Sequence, residues 1–440
     1  MPANNRSRVR LGLVLMLFVV SAIAFLDRTN ISVAGVQMRQ EYGIDKVRLG
    51  WVLSAFLIGY ALFQVPAGWL ASRYGPRRVL GVALIWWGVF SALTALVPPH
   101  WAHALGALAL VRFALGIGES VMYPAGNQFL SRWVPAQERG TANGWIFAGV
   151  GAGSGLTPPL ITAVIAWGGW RASFYVCAII GLIAAGVWFL VARDRPQDHS
   201  AVNAEELAHI EAGLPKTPDG PAGPIPWGAI FASRSVWGLF FSYTAFGYVI
   251  WIFFSWFFSY LAEVRHLDLK SSALYGMAPF LAMTLGCLAG GVINDALSRR
   301  RGLYAGRSGL GMVSFVLTAI FLLVGSRVDS APLAVFVLAM GGGAMYLSQS
   351  GFWSASTDIA GRHTGVVSGF MNMGCQIGGA ITSSLTPWIG QQFGWVAAFG
   401  TGAVVVLVGT IAWAIVDPTK PLVAEPSRPE IDPLGAPVVQ

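Results

Sequence analysis

Twelve windows of about 20 predominantly apolar residues recur along the 440-residue chain, and no other feature constrains its fold as tightly. A helix rises about 1.5 Å per residue, so roughly 20 residues cross the ~30 Å hydrocarbon layer of a bilayer. The windows fall at about 11–36, 48–72, 78–97, 102–130, 139–166, 171–193, 234–261, 271–296, 307–326, 331–356, 365–390 and 395–416. Hydrocarbon offers the backbone no hydrogen-bond partners, so each window is expected to be a helix, and the whole an all-α integral membrane protein with 12 spans.

Composition agrees. Only 11% of residues are charged and 55% are hydrophobic, whereas a soluble chain carries about 25% charged residues. The formal net charge of +8 would suggest nucleic acid in a soluble protein, but here the distribution of lysine and arginine between loops explains it without such a partner. With the N-terminus inside, Arg8, Arg10, Arg73, Arg77, Arg78, Arg132, Arg139, Arg193, Arg195, Arg299, Arg300, Arg301 and Arg307 fall on the inner side. Arg6, Lys216, Arg234, Arg362, Lys420 and Arg428 join them there. Arg39, Lys46, Arg48, Arg171, Arg265, Lys270 and Arg327 fall outside. The excess places both termini in the cytoplasm. Arg6, Arg8 and Arg10 followed by apolar residues 11–26 imitate a signal peptide, but the stretch runs on to about residue 36 and reads as a retained first helix. Cys177, Cys287 and Cys375 lie in apolar segments without metal or redox spacing, so neither a metal site nor a disulfide framework is expected.

The interval 194–233 is the only long polar one and carries Pro196, Pro215, Pro218, Pro221, Pro224 and Pro226. It reads as a linker between two six-helix bundles, 1–193 and 234–418, with 419–440 as a cytoplasmic tail. Within it, Asn203 followed by Glu206 at the third position predicts a capped helix start. An internal repeat supports the two bundles. Gly68, Ser72, Arg77 and Arg78 recur as Gly291, Asp295, Arg300 and Arg301, while Gly140 and Gly144 recur as Gly365 and Gly369. Gly169, Trp170 and Phe174 recur likewise as Gly394, Trp395 and Phe399.

Residues 110–133 place Arg112 and Glu119 deep within an apolar window. A charge at the bilayer centre costs roughly 2.5–3.5 kcal/mol on insertion scales, so intramembrane ionisable groups point to function. Seven residues apart, the two lie on nearly one helix face about 10 Å apart along the axis. A fixed cation and a titratable carboxylate on one face suit an anion and a proton. An arginine holds its own proton, so coupling falls to Glu119 or Asp27, and the simplest scheme has protonation of Glu119 free Arg112 for substrate. Adjacent Asp27 and Arg28 point about 100° apart and are poorly placed to neutralise one another.

GWLASRYGPRR at 68–78 resembles the basic loop motif of the major facilitator superfamily, and GVINDALSRRR at 291–301 resembles its second copy. DRTNISVA at 27–34, RFALGIGESVMYPAGNQ at 112–128, ERGTANG at 138–144 and SGFMNMGCQIGG at 368–379 resemble the anion:cation symporter branch. That branch includes sugar-acid and organic-anion:proton symporters, sialin and the vesicular glutamate transporters. The resemblance implies that Arg28, Arg112, Tyr60, Trp353, Ser354 and Asn372 line the substrate site and that Glu119 and Asp27 couple protons. Gln376, one turn beyond Asn372, is a further candidate for substrate hydroxyls. The basic loops with Arg73, Arg77, Arg78, Asp295, Arg300 and Arg301 are expected at the cytoplasmic gate. Phe25 and Phe147 stand where sugar-acid members often carry tyrosine and a polar amide, which favours a smaller or more apolar carboxylate. Gly144 and Gly153 partly match the glycine-proline motif of proton antiporters, with Thr157 in place of its final glycine.

These features predict a proton-coupled organic-anion symporter, not an enzyme, working without a cofactor and as a monomer in a bacterial inner membrane. A proton-coupled drug or cation antiporter of the same fold would gain little from two intramembrane arginines. A non-transporting carboxylate receptor would bind without flux.

Overall fold

The computed structural model describes residues 7–44, 46–214, 224–257, 260–265, 267 and 275–422, and no strand occurs among them. The helices are α1 (Val9–Tyr42), α2 (Lys46–Tyr74), α3 (Pro76–Leu96), α4 (Ala104–Glu119), α5 (Met122–Trp133), α6 (Arg139–Val191), α7 (Ala204–Gly213) and α8 (Trp227–Ala232). They continue as α9 (Arg234–Ser255), α10 (Ala278–Arg301), α11 (Leu310–Gly325), α12 (Ala331–Leu347), α13 (Gln349–Ala360), α14 (Thr364–Phe393) and α15 (Trp395–Ala414).

Ten stretches among the described residues are long and apolar enough to cross a membrane, against twelve expected windows. The counts differ over the fifth and sixth windows, where only Leu160–Val191 qualifies, and over the tenth and eleventh. Ala331–Phe393 runs for 63 residues over the expected tenth and eleventh windows. Likewise α6 runs for 53 residues over the fifth and sixth, broken at Gly169, whose φ of 74° is a left-handed conformation that glycine adopts without penalty. Residues 215–223 of the expected linker and 423–440 of the expected tail lie outside the described residues, as do Arg6, Lys216, Lys270 and Arg428.

In lipid, apolar burial does not drive helices together, so close backbone packing must contribute, and glycine permits it. A Cβ built at Gly149 or Gly153 of α6 would lie 2.5 or 2.4 Å from the carbonyl oxygens of Phe18 and Ala22 on α1. The pattern returns at Gly374 and Gly378 of α14, where it would lie 2.7 and 2.1 Å from Phe240 O and Thr244 O on α9. The repeat seen in the loops therefore extends to the helix contacts. Helices α1–α6 pack among themselves, as do α9–α15, and the two groups meet where α2 faces α14 and α6 faces α10. At that seam a Cβ on Gly68 would lie 1.9 Å from Gly365 O, so the backbones touch.

Tryptophans near the ends of the spans differ in exposure. Trp51, Trp101 and Trp167 are exposed, but Trp133 and Trp170 are buried. Their indoles donate to Arg193 O at 2.8 Å and Glu41 Oε2 at 2.6 Å.

Candidate functional site

Four ionisable side chains meet at the centre of the first group: Asp27 and Arg28 from α1, Arg112 and Glu119 from α4. Glu119 is the last residue of α4, and Pro124, in the first turn of α5, supplies no N–H, so the helix is interrupted beside the carboxylate. Glu119 Oε2 accepts from Arg28 Nη2 at 2.9 Å and Nε at 3.3 Å. The expected partner was Arg112. Two turns of one helix, about 10 Å, are too long for that ion pair, and Arg28 reaches across from the neighbouring helix instead. Asp27 turns away from Arg28 and accepts from Ser91 Oγ.

Arg28 and Glu119 differ in access. The arginine side chain keeps 14% of its surface exposed and the carboxylate none. The guanidinium carbon sits 4.6 Å from the ring centres of both Phe25 and Tyr60 and 5.3 Å from that of Phe56, a cage that orients a planar cation. Arg28 is thus the more accessible of the two, with Glu119 behind it. Several buried polar atoms here lack a hydrogen-bond partner among the described residues: Glu119 Oε1, Asp27 Oδ2, and Arg112 Nε and Nη1. Such atoms are costly inside a protein and concentrate where a proton, water or ligand is handled. Arg112 itself is 1% exposed and its guanidinium carbon lies 5.0 Å from the Phe56 ring centre.

The other expected binding residues spread along the seam between the groups. Tyr60 belongs to the cage around Arg28. Asn372 Nδ2 donates to Gln64 Oε1 at 3.1 Å across the seam, and Gln376 is half-buried. Trp353 Nε1 donates to Tyr243 OH at 3.1 Å, and Ser354 Oγ accepts from Asn143 Nδ2 at 3.2 Å. Trp353 also helps to line a cavity of about 10 Å³, room for about one water, with Met122, Tyr123, Gly126, Asn127, Asn143, Ile146 and Phe147. The rings of Tyr123 and Phe147 stack at 4.9 Å and that of Phe147 lies 5.0 Å from Trp353. Tyr123 OH bonds Ser21 Oγ at 3.0 Å, on α1 two turns before Arg28. A larger concavity, about 560 Å³, is lined by Gln37, Gln40, Glu41 and Gly168–Arg171, remote from these charges.

At the end of the molecule that carries the termini, Asp295 bridges the groups. Its carboxylate accepts from the N–H of Gly140 at 2.8 Å and of Thr141 at 2.6 Å, at the start of α6. Arg307 donates to Asp295 at 3.3 Å, to Asp358 at 3.0 Å and to Asn294, while Arg139 donates to Asp358 at 2.7 Å. The arginines expected at a cytoplasmic gate behave differently. Arg77 Nη2 donates within the first group, to Phe189 O at 2.7 Å, and the Arg73 guanidinium carbon lies 5.7 Å from the Tyr74 ring centre. Arg78, Arg300 and Arg301 make no bond across the seam among the described residues. Bonds across the seam come instead from Arg139, Arg299, Arg307 and Asp358; the sequence marked the three arginines only as inner-side charges and did not single out Asp358. Gln128 was missed as well: its Oε1 accepts from Gly365 N at 2.8 Å, at the start of α14, with Ser72 Oγ 3.5 Å away. Arg139 and Gln128 both lie inside the stretches that carried the family resemblance, which was the available signal.

The family profile of the Major Facilitator Superfamily matches residues 17–383. "Probable sulfoacetate transporter SauU" of Cupriavidus necator is 32% identical over 398 residues, covering 90% of this chain and 91% of that protein. The hexuronate transporter of Bacillus subtilis is 26% identical over 433 residues, covering 97% and 98%. Among solved structures, the proton:xylose symporter XylE superposes with a TM-score of 0.75 at 15% identity, covering 94% of this chain and 97% of that one. At that identity the likeness concerns the fold alone.

Proposed function

The chain belongs to the major facilitator superfamily, and from that membership we propose that it carries an organic anion together with protons by alternating access. One observation carries the reading: Arg28, partly exposed, is occupied by a fully buried Glu119. While Glu119 is charged, its oxygen takes two Arg28 donors. Protonating it frees a planar, two-pronged donor for a substrate carboxylate. Proton and anion then favour each other's binding, and linkage makes that favour reciprocal. An empty, protonated carrier would bury an unpaired Arg28, a state costly enough to suppress leak. Asp27, with Arg112 as the second intramembrane arginine, is the second candidate for a coupling proton.

The walls favour a small or apolar carboxylate. Tyr123, Phe147 and Trp353 supply aromatic faces. Asn127 is engaged at both ends, donating to Trp353 O and Ser356 Oγ and accepting from Thr357 Oγ1. Relatives named for sulfoacetate and hexuronate support an anionic cargo. The same proposal includes twelve crossings in two six-helix halves, cytoplasmic termini, a bacterial inner membrane and a monomer as the working unit. It also gives Asp295 and the facing turn of α6 the role of the cytoplasmic gate.

The test is uptake into proteoliposomes of sulfoacetate, hexuronates, tartrate and benzoate, with and without an acid-outside gradient. Gradient-dependent accumulation of one of these anions is the expected result. Gradient-driven extrusion of a cationic dye with no anion flux would overturn it, and saturable anion binding without flux would make the chain a receptor.

A further inference from the structure

One short turn, residues 136–141, supplies a large share of the bonds across the seam at the end that carries the termini. Ala136 O accepts from Arg307 at 2.7 Å and Gln137 O from Arg299 at 3.2 Å. Arg139 reaches Asp358, and the N–H groups of Gly140 and Thr141 point at Asp295. Within this turn Glu138 alone faces backwards. Its Oε2 accepts from Arg10 Nε at 3.1 Å and its Oε1 from Arg10 Nη2 at 3.4 Å, with His209 Nε2 at 2.7 Å from Oε1.

Those two partners are themselves fixed. His209 lies on α7, the linker helix, whose start is capped by Asn203 Oδ1 accepting from Glu206 N at 2.9 Å. Glu206, buried, in turn caps α1. It accepts from Ser7 Oγ at 2.6 Å, from the N–H of Val9 and of Arg10 at 3.1 Å each, and from Arg10 Nη1 at 3.2 Å. A carboxylate at a helix N-terminus satisfies donors that have no partner inside the helix and complements its dipole. Behind the turn, a Cβ on Gly213 at the end of α7 would lie 2.3 Å from Pro135 Cβ, so the linker helix touches the segment entering it. The sequence alone marked α7 only as an ordered part of a linker.

We propose that Glu138 is a positioning residue, through which α7 and the start of α1 hold the 136–141 turn in the register that locks the two groups together. The proposal rests on reading this end as a gate. Opening the seam breaks the Arg139, Gly140 and Thr141 bonds, yet leaves the Glu138 side untouched, because Arg10, His209 and Glu206 all lie on the same side as the turn. The linker helix would therefore travel with the first group and keep the turn ready to close again. Glu138 is a third exposed, so its ion pairs are individually weak, and the expected effect is correspondingly modest.

The test is hydrogen–deuterium exchange on the full-length protein in nanodiscs, comparing Glu138→Ala, Glu138→Gln and Glu206→Gln with the parent. Each is expected to raise exchange at the amides of 139–144 about fivefold, with Glu138→Ala strongest. In an Asp358→Asn background, where Arg139 has lost its charged partner, Glu138→Ala is expected to add little. Full additivity of the two changes would overturn the proposal, as would faster exchange confined to α1 and α7 with 139–144 unchanged. The measurement needs no substrate, so failure to find anion flux would sink the transport reading while leaving these outcomes to decide the role of Glu138.

Discussion

The two repeats place their charges in opposite positions. In the membrane interior the first repeat holds Asp27, Arg28, Arg112 and Glu119, whereas α9 and α12 of the second carry no charged residue beyond Arg234 at the start of α9. At the seam near the termini the arrangement reverses. The second repeat caps the start of α6 with Asp295, backed by Arg307 and Asp358, and the first caps the start of α14 with the neutral Gln128, beside Ser72. A neutral amide contributes one hydrogen bond of about 1 kcal/mol, while a charged cap holding two N–H groups and an arginine is worth roughly twice that or more. On the proposed reading, one repeat carries the chemistry and the other the firmer latch, so that the site can change charge without disturbing the stronger closure.

The largest expected effect comes from removing the charge contrast at the centre. Arg28→Ala should lower anion uptake about 100-fold, close to background, as expected when a bidentate charged donor of roughly 2–3 kcal/mol is lost. Retained uptake would move the anion site to Arg112. Next in size is Asp295→Ala, which strands two backbone N–H groups and part of Arg307. Exchange at the amides of Gly140 and Thr141 should rise about 30-fold, the equivalent of about 2 kcal/mol. Gln128→Ala should raise exchange at the start of α14 only about fivefold. Equal effects at the two caps would erase the contrast. Ser72→Asp would sharpen it from the other side, by slowing exchange at 364–368 and slowing turnover.

The smallest effect concerns pH at the linker. Burial works against the charge of Glu206, but hydrogen bonds from Ser7, Arg10 and Val9 outweigh it and hold its carboxylate below the ordinary glutamate range. A depressed carboxylate stabilises the fold above its ordinary pKa and loses that contribution as pH falls through the lowered value. The clamp between α7 and α1 should thus persist at neutral pH and weaken only in acid, below about 4.5. Glu206→Gln should flatten that acid-side decline in thermal stability, a shift of about 2 °C.

Much of the fold could be read from the apolar windows, because membrane-crossing length and backbone satisfaction leave few options. The intramembrane charges were legible for the same reason: Arg28, Arg112, Asp27 and Glu119 stand out against apolar neighbours. Their pairing was not. Which guanidinium meets Glu119 depends on where α1 is held against α6 and α4 against α2, through close contacts at Gly149, Gly153 and Gly116 on several helices. The contacts across the seam were only partly legible: Asp295 stands out within its motif, whereas Arg307, Asp358 and Gln128 act singly and acquire meaning only once the two groups meet. The fifth and sixth windows, and the tenth and eleventh, are separated by short turns with positive φ at Gly169 and Gly361, where hydropathy also leaves gaps.

The most direct measurement compares Glu119→Gln with the parent in proteoliposomes, scoring acid-driven accumulation of a transported anion against its counterflow exchange at equal pH. If Glu119 releases Arg28 on protonation, the variant should exchange anion at a rate near that of the parent yet accumulate none above equilibrium. Accumulation that survives the substitution would contradict the pairing of Arg28 with Glu119 as the coupling element and shift that role to Asp27.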